Sequence, residues 1–150
     1  MTYTTGEQKA EIRRKIEAGS FWNDEKVWTW LVATSLSDSP RRAEYFDVLC
    51  GERTKFDTWF ESQPLPPRRG SARNTEGNSQ LDLAFGAIRR RRGTATGIEY
   101  DPSVKPSLVC FIEAKLFSDC SSDVSYDPLR NQITRVIDNL LCFQAAGSFP

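Results

Sequence analysis

Two segments of the chain carry the two-residue alternation of β-strands. In residues 80–88, Leu81, Leu83, Phe85 and Ala87 share one side, and Asp82, Ala84, Gly86 and Ile88 share the other. In residues 107–117, "SLVCFIEAKLF", Leu108, Cys110, Ile112, Ala114 and Leu116 share one side, and Val109, Phe111, Glu113 and Lys115 the other. Both faces of the second segment begin apolar, which predicts a strand covered on two sides. Its charged pair therefore stands at the far end, where the sheet opens to water or a ligand. Unpaired charges buried there would cost several kcal/mol, on the order of 3–5.

The flanking pattern is helical. Residues 1–62 read as a helical N-terminal part. A first helix ends at Gly19, and a second has Asn23 or Asp24 as its N-cap and Glu25 in its first turn. A third starts near Pro40 and stops at Gly51, and "ERTKFDTWFES" is a fourth, short and amphipathic. Residues 63–79 are rich in Pro, Gly and polar side chains and read as a loop. Residues 89–106 form a turn or excursion, with a short strand near 97–100. A last helix starts with Asp127 as cap and Pro128 at its first position, and carries the stripe Leu129, Ile133, Val136, Ile137, Leu140 and Leu141. The fold class is α/β: a small mixed central sheet flanked by helices, in one domain over residues 1–150, with the strand–strand–helix core in 80–146.

Composition narrows the chemistry. The chain has no histidine, which removes Ser-His-Asp and Cys-His catalysis and histidine zinc sites. The four cysteines, Cys50, Cys110, Cys120 and Cys142, include no close pair and read as reduced thiols in a cytoplasmic setting; Cys120, in a polar loop, is the one expected to be exposed. No apolar run reaches spanning length, so no membrane partner is expected. The formal charge is zero, yet Arg89, Arg90, Arg91 and Arg92 are consecutive. Such a run is either a solvated hairpin arm or a set of phosphate contacts. The four tryptophans read as helix-packing core rather than as base-stacking platforms.

If the two strands are neighbours, Asp82 meets Glu113 and Lys115, beside the small Ala84 and Gly86. Two carboxylates at one point repel unless a cation lies between them. An oxygen-rich site of low denticity suits Mg²⁺ or Mn²⁺, which also keeps waters and takes phosphate oxygens. The lysine would orient or deprotonate an attacking water or stabilise transition-state charge. That is a workable phosphodiester-cleaving site without histidine.

Asp82, followed after residues 83–112 by Glu113-Ala114-Lys115 at the end of an apolar strand and then by a helix, resembles the PD-(D/E)XK nuclease superfamily, with its restriction-endonuclease-like fold. The resemblance implies that Asp82 and Glu113 bind the metal, that the Ala114 carbonyl contributes, and that Lys115 assists the nucleophile. It further implies an accessory acid at Glu25 and a glutamine role for Gln132. The substrate implied is DNA ahead of RNA, with Arg89 to Arg92 and Arg130 as phosphate contacts. Two other readings stand beside it: an inactive nucleic-acid- or partner-binding module of the same fold, and a structural domain with an ion-pair cluster.

The chain departs from the family pattern in three places. Leu81 replaces the nominal proline, Val136 stands where one subgroup needs tyrosine, and the family's strand after the last helix has no counterpart in "AAGSFP". The last departure predicts a bare sheet edge beside residues 108–117, and either a truncated chain or one that self-associates through that edge.

Overall fold

The computed structural model describes residues 1–51, 53, 55–65, 79–116 and 132–145. Among them, four helices enclose a small mixed sheet. In chain order the elements are β1 (Thr2–Tyr3), α1 (Gly6–Glu17), α2 (Glu25–Asp38), α3 (Arg42–Cys50) and β2 (Thr58–Ser62). Then follow β3 (Leu81–Gly86), β4 (Ile88–Arg90), β5 (Ile98–Tyr100), β6 (Val109–Ile112) and α4 (Gln132–Ala145). The main sheet has the order β1-β2-β3-β6, and β4 and β5 form a separate antiparallel pair. β1 runs parallel to β2; β2–β3 and β3–β6 are antiparallel.

The first three helices form where the sequence places them, for local reasons. Thr5 and Gln8 build a reciprocal capping box on α1. Asp24 is the N-cap of α2, its carboxylate accepting the Val27 N–H at 3.0 Å. Gly51 ends α3 in the left-handed conformation.

The expected fourth helix is instead β2, the second strand of the sheet. Thr58, Trp59, Phe60 and Ser62 are all buried, which requires cover on both faces of a strand; one side of a helix cannot bury three consecutive residues. The β-branched and aromatic run in "TWF" favours the extended form, and β1 pairs with it from the N-terminus. The two predicted strands are present but shorter, and the short strand near residue 98 is β5. Beyond Ile112 the chain leaves the ladder, so Glu113 and Lys115 follow β6 rather than belong to it.

Two layers cover the sheet. On one face, α1 and α2 bring Ile12 and Val27 against Phe60, while Phe46 of α3 packs with Phe56 and Phe85. On the other, Val136, Leu140 and Phe143 of α4 pack with Trp59, Ala84, Val109 and Phe111. The buried stripe of α4 is thus rotated from the expected one: Ile133, Ile137 and Leu141 are half exposed or more. Leu129 and the Asp127–Pro128 start lie outside the described residues, as does Cys120. Cys50 and Cys110 are half-buried, and Cys142 is exposed. No helix among the described residues is long and apolar enough to cross a membrane. Within them, β6 pairs with β3 alone and forms one edge of the sheet.

Candidate active site

The β3–β6 register pairs Leu83 with Ile112, and one step further along it brings Asp82 opposite Glu113. There β6 ends, and the backbone turns toward Asp82: the Ala114 N–H donates to Asp82 Oδ2 at 2.8 Å. Lys115 Nζ lies 3.0 Å from Glu113 Oε1 and 3.6 Å from Glu25 Oε1. Glu25 reaches the same place from the first turn of α2, its Oε2 accepting the Leu116 N–H at 2.7 Å. Asp82, Glu113, Lys115 and Glu25 therefore converge at one end of the sheet from three elements. The Glu25 contact, made with a residue 91 positions away, depends on α2 packing over β3.

Electrostatics distinguish these groups. Burial pushes the Asp82 carboxyl up to about 6, opposed by the Ala114 N–H and reinforced by Glu113 and, more weakly, Glu25. Burial also acts against the charge of Lys115, but its hydrogen bond to Glu113 and the fields of Glu113, Glu25 and Asp82 outweigh it. The ammonium is held above its ordinary range. In this arrangement Lys115 is a cation at neutral pH, suited to stabilising negative charge rather than to removing a proton from water.

The folded-state value of Asp82, about 6, exceeds the ordinary 3.8. The stability contributed by the protonated form is therefore complete below the ordinary value and is lost as pH rises through about 6. Asp82→Asn keeps an acceptor for the Ala114 N–H and removes that loss. Without divalent cations the variant should be more stable than the parent at about pH 7.5, by roughly 1 kcal/mol after discounting for partial exposure. That corresponds to about 2–4 °C in Tm, with no gain at about pH 4. Thermal melts at the two pH values check it; equal shifts at both would contradict the environment described.

A divalent cation suits the donor set in part. Asp82, Glu113 and the Ala114 carbonyl offer hard oxygens, and the Asp82 carboxylate, disfavoured first by burial and then by Glu113, is a charge that a cation would stabilise. Among the described residues no group of three or more acidic or cysteine side chains is close enough to hold an ion on its own. Glu25 is engaged with Leu116 and Lys115. The fit is to an ion that keeps several waters, as Mg²⁺ does, rather than to an all-protein cage.

Sequence reasoning left some neighbours of Glu113 without a role. Ser79, Arg135 and Asn139 line a cavity of about 40 Å³ against Glu113. Arg135 Nε donates to Ser79 Oγ at 3.0 Å. Asn139 is fully buried, and among the described residues neither polar atom of its side chain has a hydrogen-bond partner. Arg135 and Asn139 lie at helical spacing from Gln132, a polar flank visible in the sequence; nothing local marks Ser79.

The expected arginine contacts are placed elsewhere. Arg89 and Arg90 belong to β4, beyond the opposite end of β3 from Asp82. Arg89 pairs with Glu99 at 2.8 Å, and Arg90 lies over the Tyr3 ring at 5.9 Å. Arg91 donates its backbone N–H to the Gly97 carbonyl at 2.9 Å, and Arg92 follows in the turn between β4 and β5. The run is a hairpin arm away from the acidic cluster. Gln132 opens α4; its side-chain role, and Arg130 entirely, lie outside the described residues. The tryptophans divide: Trp59 is buried and Trp30 half-buried, but Trp22 and Trp28 are exposed, against the expectation of core packing for all four.

The chain matches no protein-family model, and no curated protein or solved structure matches it.

Proposed function

We propose that the protein is a divalent-metal-dependent nuclease, cutting phosphodiester bonds of DNA in preference to RNA, in the manner of the PD-(D/E)XK nucleases that its Asp82 and Glu113-Ala114-Lys115 resemble. The observation that carries this reading is the convergence of Asp82, Glu113, Lys115 and Glu25, with the Asp82 carboxyl raised to about 6. Asp82 and Glu113, with the Ala114 carbonyl, would hold Mg²⁺ or Mn²⁺. When bound, such an ion supplies Lewis acidity toward a phosphate oxygen and lowers the pKa of a coordinated water. Lys115 donates to the attacking oxygen and stabilises the charge that builds on it. Glu25, one side on the Leu116 N–H, holds the backbone after Lys115 and so aims the ammonium.

A second reading has its own support. Every acid in the cluster already has a backbone or lysine partner, as a purely structural ion-pair network would.

Divalent cations separate the two. Single- and double-stranded DNA and RNA oligonucleotides, incubated with Mg²⁺ or Ca²⁺ and resolved by electrophoresis, should be cut in Mg²⁺ and bound but scarcely cut in Ca²⁺, whose looser shell positions water poorly. Equal rates in both ions would contradict the proposed site. No cleavage in any divalent ion, from protein with an intact melt, would leave the inactive binding module if the oligonucleotides are still bound, and the structural network if they are not.

A further inference from the structure

At the start of α2 three aromatic rings stand together: Trp22 and Trp28 are exposed, while Phe21 is half-buried and packs on the Ile12–Val27–Phe60 core. Trp22 is 66% exposed and Trp28 37%. The Phe21 and Trp22 rings stack with centroids 4.6 Å apart, and Trp28 lies 6.2 and 6.3 Å from them. The Trp28 indole N–H donates to the Trp22 carbonyl at 3.1 Å, which fixes the plane of the ring. Large aromatic side chains left in water forgo about 1.5–3 kcal/mol each that burial would return. An ordered, exposed aromatic group is therefore a binding feature before it is a packing one.

Its position says what it binds. Trp28 is one wall of a cavity of about 200 Å³ between α2 and the end of β6. Val32, Leu83 and Ile112 are other walls, and Glu25 and Lys115 line it too. The aromatic surface and the acidic cluster thus share residues, so a ligand whose phosphodiester sits at the cluster presents its adjoining group to the indoles. Resting on the nuclease reading, we infer that the Trp22–Trp28 surface stacks an unpaired base of the strand being cut, which makes the substrate single-stranded or locally unpaired nucleic acid.

The chemistry of the walls favours a base held by its face. They are mainly apolar, and the Thr29 hydroxyl is already spent on the Glu25 carbonyl at 2.8 Å. Glu25 and Lys115, the charged side chains there, are engaged with each other, with the Leu116 N–H and with Glu113, so recognition is by stacking and is indifferent to sequence. A neutral base also tolerates the Glu25 carboxylate that lines the cavity. In a duplex both faces of a base are taken by its neighbours, and only an unpaired base offers one to an indole.

Affinity measurements test this apart from cleavage. The Glu113→Gln protein, in Ca²⁺, is titrated with an oligothymidylate of about ten nucleotides and with a duplex of equal length, following indole fluorescence. Trp22→Ala and Trp28→Leu, each on that background, should weaken single-strand binding about 5- to 150-fold per stacked base and leave duplex binding unchanged. Trp22 is mostly exposed, so its variant does not threaten folding, and melts check Trp28→Leu. Unchanged single-strand affinity in both variants, or equal loss for duplex, overturns the inference. Tryptophan-dependent binding without cleavage by the unsubstituted protein would sustain the stacking surface and reject the nuclease. Cleavage that ignores both substitutions would do the reverse, and no binding to any strand would reject the stacking surface.

Discussion

Replacing Glu113 with Gln should lower Mg²⁺-dependent cleavage by at least about 100-fold while the protein melts as before. Glutamine keeps the shape of the side chain and an oxygen that accepts from Lys115, so the local geometry survives. What disappears is the second negative charge at the point where Asp82 and Glu113 meet. A divalent ion would then be held by one carboxylate, against the unneutralised charge of Lys115. Lys115→Ala should lose cleavage to a similar degree but with a different signature in stability. Its ammonium neutralises Glu113 and Glu25 together, at 3.0 and 3.6 Å. Without it three carboxylates face one another, and Tm should fall by about 2–4 °C near neutral pH, the equivalent of roughly 1 kcal/mol, and recover on adding Mg²⁺. Product formation and melts, each with and without Mg²⁺, check both. Normal cleavage by Glu113→Gln would sink the mechanism.

Gly86→Ala should cost more than any single change at the site, at least about 3 kcal/mol, and leave little folded protein at 37 °C. Gly86 closes β3 at φ +119°, a conformation that side chains with a Cβ rarely adopt. The space is also taken: an added Cβ would lie 2.9 Å from the Leu108 carbonyl carbon and still closer to its oxygen. That carbonyl accepts the Ala87 N–H at 2.6 Å, and its neighbour Val109 is the ladder partner of Gly86. Relieving the clash means pulling β6 from β3, and with it the register that sets Asp82 opposite Glu113. Urea unfolding followed by circular dichroism measures the loss. A variant within about 1 kcal/mol of the parent would show the close approach described is wrong.

The candidate cluster was partly legible because three of its members carry their own signal. Asp82 interrupts an apolar alternation, and Glu113 and Lys115 interrupt another, so burial or pairing had to be arranged for each. Glu25 was visible only as a first-turn acid, for which the helix dipole is sufficient reason. Its contact with Leu116 is a matter of where α2 lands. The arginine run was open to two readings in the sequence, a hairpin arm or a set of phosphate contacts. Its place is set by Gly86, which bends the chain out of β3 so that the following hairpin carries Arg89 to Glu99 at the other end of the strand. The misread fourth helix has a local cause: residues 52–62 form a short run that mixes three aromatic rings with charged side chains, and periodicity over so few residues does not separate an amphipathic helix from a strand buried on both faces.

Read without coordinates, the chain specifies its local elements: capped α1 and α2, a glycine stop after α3, two alternating strands and the sites of three charged interruptions. These are decided within a few residues, by capping hydrogen bonds, backbone conformation and the side-chain period. Only the tertiary structure decides that residues 58–62 enter the sheet, that Glu25 joins Lys115, that Asn139 is buried beside Glu113, and that Trp22 and Trp28 stay in the open. Each depends on what lies across from the residue in space. Burial and charge pairing are set by neighbours distant in the chain, and no local pattern carries them.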